Sequence, residues 1–291
     1  GSFGAALSAT STTVGLTRGT VNPGGTLTIL PSALANLGAG AAATSENFTA
    51  ANFVNGATTT ALFGNSFGTL TFPTVVTRLA GSGQDANFVQ YGANGFTLQT
   101  NTGTISLTGI QDTLIGNLTT ATNVGSGVNS VYALRTDSNI GQTDATSMLN
   151  INNGGVILNG AAGVAITSNL TFGDSRAATV AVGSTTISGI TNTADLRVGM
   201  GITGTDLPAG ATIATIPNGT SITITMPATV AGSAIQLLTE GIVYVRDGQT
   251  TTSSIGTNAV PTSFTGANFT KSGPGNLQIF GTDNVMSPVS N

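Results

Sequence analysis

The sequence predicts an all-β fold in which most of the chain forms a solenoid of irregular coils. Charged residues make up only 6% of the 291 residues, while Gly alone numbers 41. Thr, Val and Ile between the glycines favour the pleated surface of a strand, whereas Gly and Asn favour tight turns. Short alternating strands recur without a strict period, and long amphipathic helical patterns are missing. Tandem β-sandwiches are the alternative architecture.

Composition also excludes several kinds of function. The chain has no Cys and no His, which removes disulfides, thiolate metal sites and the commonest general base. A formal net charge of −4, with 7 dispersed basic residues, predicts no binding of nucleic acid. No run of about 18 apolar residues occurs, so no membrane span is expected. Thr, Ser and Asn with few charges are typical of secreted structural proteins, which predicts an extracellular or cell-surface location.

The first predicted region covers residues 1–125 and consists of β-strands arranged as solenoid coils. Asn22–Gly25 predicts a turn, because Pro fixes φ and Gly accepts positive φ. Thr26–Ile29 then alternates polar and apolar residues, as expected of a half-buried strand. Gly103–Leu107 repeats this alternation, so the strand pattern of the region resembles that of the rest of the chain.

The second predicted region, residues 126–182 together with 239–291, forms the most regular coils. Leu149–Ile151 and Val156–Leu158 are predicted strands on either side of the turn at Asn152–Gly155. Short strands separated by polar breaks are expected of one face of a solenoid coil. Such a unit cannot bury its apolar face alone and needs a neighbour stacked on it.

Near the C-terminus, residues 269–281 carry the clearest motif. A tight turn at Gly273–Gly275 is followed by a strand in which Leu277 and Ile279 share one face at period two. Lys271, the only lysine of the chain, precedes the turn.

Residues 183–238 differ from the rest of the chain in their strand pattern and are predicted to form an inserted small β-barrel or sandwich. Several short strands follow one another closely, with turn signals at Pro208–Gly210 and Pro217–Gly219. The two ends of an inserted module must lie close together.

The terminal motif resembles the autotransporter-associated β-strand repeat, which reads approximately Leu/Phe-Thr-Lys-x-Gly-x-Gly-x-Leu-x-Leu-x-Gly-x-Asn. The matching residues are Phe269, Thr270, Lys271, Gly273, Gly275, Leu277, Ile279 and Gly281, whereas Asp283 stands where the family has Asn. The resemblance implies a right-handed parallel β-helix of the kind found in large secreted or surface-displayed bacterial proteins. The 183–238 segment is similar to small β modules of bacterial surface and phage tail proteins, through Val198–Met200 and Leu207–Ile213.

No catalytic residue, cofactor or metal site is predicted, and the chain is expected not to be an enzyme. A β-helical polysaccharide lyase, kept as an alternative, would need paired carboxylates, whereas the 11 carboxylates are dispersed along the chain. Gly81–Asp85 partly matches a calcium-binding pattern. One copy supplies too few oxygen ligands, so a plain loop is predicted there.

The favoured hypothesis is a self-assembling structural subunit. Neither end of the chain carries the polar cap that normally closes a solenoid. The family's repeat usually continues with a Thr-Thr-x-Val stretch, which is missing after Asn284 but approximated near the N-terminus. Copies of the chain, or successive segments of one longer chain, are therefore expected to join head to tail into an extracellular bacterial fibre, tube, sheath or surface layer. The residues assigned to this assembly are Thr12, Val14, Leu27, Ile29, Leu277, Ile279 and Val285.

The alternative function is a surface adhesin or phage-tail-like binding module whose insert at 183–238 recognises glycan. Aromatic side chains would support that interpretation because sugars stack on them. The chain has no Trp, and the insert has neither Tyr nor Phe.

Overall fold

The computed structural model describes residues 3–6, 12–13, 26–39, 45–49, 52–54, 57–58, 75–92, 94–99, 102–103, 106–191, 193, 196, 198–260, 262–266, 268–281 and 284–286. These residues are essentially all-β, and the predicted fold class is confirmed at that level. The helical structure among them is a single 3₁₀ turn at Leu34–Asn36. Within this part of the chain, no helix has the length and apolar character that crossing a bilayer requires. The predicted Val14 site residue lies outside the described residues.

The strands are numbered along the chain. The N-terminal strands are β1 (Phe3–Ala6), β2 (Thr12–Thr13), β3 (Leu27–Leu30), β4 (Phe48–Thr49), β5 (Asn52–Val54), β6 (Ala57–Thr58), β7 (Val75–Thr77), β8 (Asn87–Gly92), β9 (Gly95–Leu98) and β10 (Thr102–Gly103). The central strands are β11 (Ile110–Leu118), β12 (Thr122–Val124), β13 (Val128–Thr136), β14 (Ile140–Gln142), β15 (Met148–Ile151), β16 (Gly155–Leu158), β17 (Ala165–Ile166) and β18 (Asn169–Val180). The remaining strands are β19 (Thr186–Ser188), β20 (Gly201–Thr203), β21 (Ile213–Asn218), β22 (Ser221–Ile224), β23 (Gly232–Leu238), β24 (Glu240–Val245), β25 (Ser253–Ile255), β26 (Phe264–Gly266), β27 (Asn268–Ser272), β28 (Leu277–Ile279) and β29 (Asn284–Met286).

Three parallel ladders dominate the second half of the chain. Ladder A contains β11, β13, β16, β24 and β27, and ladder B contains β13, β15, β18, β26 and β29. Ladder C contains β12, β14, β17, β25 and β28. The long strand β13 belongs to two ladders, because its first half pairs with β15 and its second half with β16. Parallel partners cannot be joined by a tight hairpin, so each strand pairs with one from another pass of the chain.

The chain visits the ladders in a fixed order. From β15 onward it passes through ladders B, A and C, and then returns to B at β18. After the antiparallel segment described below, the same order resumes with β24 in A, β25 in C and β26 in B. The strands β27, β28 and β29 repeat it once more. Successive passes therefore lie next to one another in register.

One apolar core joins the three ladders. Its fully buried members include Leu134, Val156, Leu158, Val243 and Val245 from ladder A, Val131, Leu149, Ile151, Leu170, Phe172 and Phe264 from ladder B, and Val124, Ile140, Ile166 and Ile255 from ladder C. Removing such side chains from water stabilises the fold by roughly 1.5–3 kcal/mol for each large residue. We call this cluster the main core.

Asparagine side chains replace charges as polar links between passes. Asn129 is 3% exposed, and its Oδ1 accepts a hydrogen bond from the Gly109 N–H at 2.7 Å. Its Nδ2 donates to the carbonyl oxygens of Gly125 at 2.7 Å and Gly127 at 3.0 Å. A buried amide with its donors and acceptor paired avoids the penalty of an unsatisfied polar group. Asn129 therefore links its own pass to the preceding one, at Gly109, without an ion pair.

An antiparallel segment interrupts the ladders between β18 and β24. The first half of β18 pairs in ladder B, and its second half continues outward to pair with β23 and β19. Strands β19 to β23 form this sheet around a separate apolar cluster that includes Val180, Ile187, Ile213, Ile222 and Ile235. The sheet curls until β20 meets the start of β21, where the Ile202 N–H donates to the Ala211 carbonyl oxygen at 3.0 Å. The antiparallel pairing begins at Gly173 opposite Leu238, outside the predicted limits of 183–238. As a domain assignment, those limits stay a prediction.

An N-terminal sheet packs against the outer side of ladder A through β7 and β8. Strands β1, β3 and β7 are parallel, and β7, β8 and β9 continue the sheet as antiparallel neighbours. Val76 and Phe88 form one apolar cluster with Ile115, Ile157 and Tyr244, which lie on ladder A. Both faces of this ladder are thus covered by apolar contacts.

Candidate functional site

The three ladders end together at the C-terminal side of the stack. β27 is the last strand of ladder A, β28 of ladder C and β29 of ladder B. Within the described residues, each of them pairs with a neighbour on one side only. A strand with one free edge presents N–H and C=O groups that can pair with another chain. We call β27, β28 and β29 the terminal edge.

Two glycines of the terminal motif let its turn lie directly against the preceding pass. A Cβ on Gly273, which has φ +75°, would be 2.4 Å from the Val245 carbonyl oxygen. A Cβ on Gly275 would be 1.9 Å from the Arg246 carbonyl oxygen. The Gly275 N–H donates to the Val245 carbonyl oxygen at 3.0 Å. The glycine spacing of the motif therefore has a steric cause, which is backbone-to-backbone packing between successive passes.

Apolar side chains of the main core reach the surface at the terminal edge. Phe269 is half-buried, and its ring centroid lies 5.4 Å from that of Phe264 and 6.1 Å from that of Phe172. Leu277 is also half-buried against the main core, and Ile279 is 41% exposed. Apolar side chains next to the main core are thus partly exposed to water at the terminal edge.

Lys271 adds a positive charge to this edge. Its Nζ donates a hydrogen bond to the Gly273 carbonyl oxygen at 2.6 Å. Partial burial disfavours the charged ammonium and lowers the pKa of Lys271 below its usual range.

A second edge lies among the N-terminal strands. Strand β1 pairs with β3 and strand β2 pairs with β4, both in parallel, and each has a single partner among the described strands. The residues of these strands, Phe3–Ala6 and Thr12–Thr13, carry no charge. We call β1 and β2 the N-terminal edge.

The structure brings together some of the predicted assembly residues and separates others. Leu277 and Ile279 lie on β28 and Val285 lies on β29, so these three share the terminal edge. Thr12 lies on β2, opposite Phe48 of β4. Leu27 and Ile29 are 7% and 2% exposed in β3, which is paired on both sides by β1 and β7. Their role in assembly stays a prediction. In this fold they lie on β3, the strand that pairs with β1 of the N-terminal edge.

Phe269 and Lys271 lie on the terminal edge but are not among the predicted assembly residues, although both belong to the terminal motif. The motif itself was the available signal, because its first positions immediately precede the turn. For β1, the sequence Phe3–Ala6 has no alternation that would have marked it as a strand edge.

A polar network joins the loop at 81–86 to ladder A. Arg246 Nη1 donates to Asp85 Oδ1 at 2.7 Å, and Arg246 Nη2 donates to the Gly83 carbonyl oxygen. The Gly83 N–H donates to Asp247 Oδ1 at 2.9 Å. Arg135 donates to Asp137 Oδ2 at 3.2 Å and to the Ala86 carbonyl oxygen at 2.9 Å. Each of these three carboxylates thus accepts a hydrogen bond from a guanidinium group or a backbone N–H. Together, these contacts hold the loop at 81–86 against ladder A.

The same network bears on the calcium-like pattern at Gly81–Asp85. The Asp85 carboxylate faces Arg246, and a cation on that oxygen would compete with the guanidinium. In the described part of the chain, no three Asp or Glu side chains converge as metal ligands.

Asn159 is the buried centre of this network and gives a first prediction. It is 1% exposed, accepts from the Ala86 N–H at 2.7 Å and donates to Asp137 Oδ1 at 2.8 Å. Asn159→Ala is expected to lower the free energy of unfolding by about 1–3 kcal/mol, because a buried N–H loses its acceptor. Urea denaturation measures this loss.

The matched control is Asn139→Ala, which removes one hydrogen bond, from the Ala165 N–H, at an exposed position. We expect its loss to stay below about 1 kcal/mol. Equal losses in the two variants would contradict the role given to Asn159.

Comparison with protein-family models, with curated proteins and with solved structures finds no significant match for this chain. The resemblance to the autotransporter-associated repeat accordingly stays a prediction that depends on the motif residues.

Proposed function

We propose that this protein is a structural subunit of an extracellular bacterial fibre, tube, sheath or surface layer that assembles head to tail. The observation that carries the proposal is the terminal edge, where three parallel ladders end with unpaired strand edges among the described residues. The half-buried Phe269 and Leu277 and the exposed Ile279 add apolar surface at the same place. Exposed edges and apolar ends are normally covered, and a second copy of the chain covers both.

The chain is inferred to wind as a right-handed parallel β-helix, with a small β-barrel formed by the antiparallel segment. The repeated order of ladders B, A and C supports winding, since each circuit adds one strand to each ladder. The right hand is the expected one because crossover connections between parallel strands are almost always right-handed. The resemblance of the terminal motif to the autotransporter-associated repeat supports the same winding.

Strand direction favours head-to-tail over tail-to-tail docking. Parallel ladders have a polarity, and the strand that continues one must run in the same direction as the last strand. β1 and β2 are parallel strands with one partner each in the described region, so a second copy's N-terminal edge has the required form. Two terminal edges facing each other would be antiparallel and would leave the ladders out of register.

A structural role also agrees with the chemistry of the chain. The carboxylates of Asp85 and Asp137 are engaged in the network around Asn159 and Arg246. We infer that the protein is not an enzyme. Its charge-poor composition supports an extracellular location, where Thr and Asn surfaces supply solubility.

Deleting residues 1–20 tests the proposed docking directly. The deletion removes both strands of the N-terminal edge and leaves the terminal edge intact. We expect the variant to stay monomeric in sedimentation velocity at concentrations where the full chain forms filaments in electron micrographs. Circular dichroism checks that its β-content is retained.

A mixing experiment serves as the control for misfolding. A correctly folded deletion variant still has a terminal edge, which docks on the N-terminal edge of an intact copy and stops growth there. A small fraction of the variant should therefore shorten filaments of the full chain. Filament formation by the variant alone, or no shortening in the mixture, would contradict head-to-tail docking.

A further inference from the structure

In the strand register, Lys271 of the last strand in ladder A continues a row of main-core residues. In the strand register, Leu134 lies opposite Val156, and Val156 lies opposite Val243. These three residues are at most 1% exposed and belong to the main core. Val243 in turn lies opposite Lys271. The apolar row on the inner side of ladder A therefore ends in the only lysine of the chain.

The ammonium group is poorly compensated at this position. Lys271 is exposed and donates to the Gly273 carbonyl oxygen. Within the described residues, no carboxylate forms an ion pair with it. Lys271 is also the only charged residue on the three strands of the terminal edge, which otherwise carry Asn, Gln, Thr, Ser and apolar side chains.

The N-terminal edge of a second copy, formed by β1 and β2, brings no counter-charge of its own. The first carboxylate in the sequence is Glu46, and the only charged side chain before it is Arg18. Glu46 is 2% exposed, and both its carboxylate oxygens accept hydrogen bonds from the Ser32 N–H, at 3.0 and 2.9 Å. It is therefore committed within its own fold and is not free to pair with Lys271.

We propose that Lys271 opposes the docking of a second copy at the terminal edge and so sets the concentration at which assembly begins. This inference rests on the proposed function and specifies how the same site is regulated. Docking would remove water from the ammonium without providing a carboxylate, which disfavours the docked state. Lysines on strand edges and inward-pointing charges are general devices that protect sheets from indiscriminate pairing.

Lys271→Met tests the proposal, because methionine keeps an unbranched side chain and removes the charge. We expect the concentration needed for assembly to fall about tenfold or more, as the penalty for burying the charge is removed. Light scattering over a concentration series gives this value, and electron microscopy shows whether the product is filamentous. Lys271→Arg is the control that keeps the charge, and its assembly concentration should stay within about threefold of the parent.

The outcomes separate this inference from the proposed function. Filaments at lower concentration in Lys271→Met, and not in Lys271→Arg, would support it. Parent filaments with no change in Lys271→Met would overturn the gating role and leave head-to-tail assembly standing. Amorphous aggregates of Lys271→Met would also overturn it. The absence of assembly in every variant at all concentrations would overturn both.

Discussion

Phe172→Ala is expected to lower the free energy of unfolding by about 3–5 kcal/mol, the range for deleting a fully buried aromatic side chain. Phe172 is 0% exposed and lies where β18 leaves the main core for the antiparallel segment. Its ring centroid lies 6.5 Å from that of Phe264 and 6.1 Å from that of Phe269. The ring thus connects β18 to the terminal edge through Phe264 of β26 and Phe269 of β27.

The space left by Phe172 cannot easily be refilled. Gly241 packs directly on the ring, since a Cβ there would lie 2.5 Å from a ring carbon. A glycine has no side chain that can move into the void, so most of the cavity should remain.

Chemical denaturation of Phe172→Ala, with Phe172→Leu beside it, measures this effect. Leucine fills part of the same volume, so the loss should be less than half as large. A loss below about 1 kcal/mol for alanine would show that the ring does not hold the passes together.

Gly273→Ala is expected to cost about 2–5 kcal/mol and to prevent assembly. About 1–2 kcal/mol comes from placing alanine in the left-handed region at φ +75°. A further 1–3 kcal/mol, roughly, comes from the clash of the new Cβ with the Val245 carbonyl oxygen. Relief of that clash displaces the turn that positions β28, and the terminal edge loses its register.

Gly183→Ala is the matched control, because Gly183 has nearly the same φ, +74°, and no atom within 4 Å of an added Cβ. It should show only the backbone term of about 1–2 kcal/mol and should assemble normally. Hydrogen exchange localises the damage in Gly273→Ala, with protection expected to fall first in β27 and β28. Equal destabilisation in both variants would mean that close packing at Gly273 contributes nothing.

Much of the strand content could be predicted because it depends on local pattern. Leu277 and Ile279 alternate with polar residues, and they lie on a short strand, β28, as the period-two pattern indicates. The turn at Gly273–Gly275 could also be predicted from the sequence. Both of these positions require glycine for steric reasons.

Strand partners could not be predicted, because pairing is a tertiary choice. The alternation at Leu27 and Ile29 indicates a strand but not that β1 and β7 flank it on both sides. Likewise, nothing in the sequence indicates that β18 runs unbroken from ladder B into the antiparallel sheet.

The polar network illustrates the same limit for the candidate site. Arg246 and Asp85 are 161 residues apart in sequence and meet only through folding. The sequence placed Asp85 in a plain loop, and nothing near it indicated the buried Asn159 that joins it to Asp137. Asn is so frequent in this chain that its structural positions carry no distinct signal.

Directed disulfide formation between two single-cysteine variants tests head-to-tail docking most directly, because the parent chain has no Cys and therefore no background. Gln278→Cys places a thiol on the exposed side of β28, and Ala5→Cys places one in β1. The two variants are mixed under mild oxidation and analysed by non-reducing electrophoresis and mass spectrometry. Head-to-tail docking predicts that the mixed 278–5 dimer exceeds both symmetric dimers. Predominance of the 278–278 dimer, or a statistical mixture at all concentrations, would contradict it.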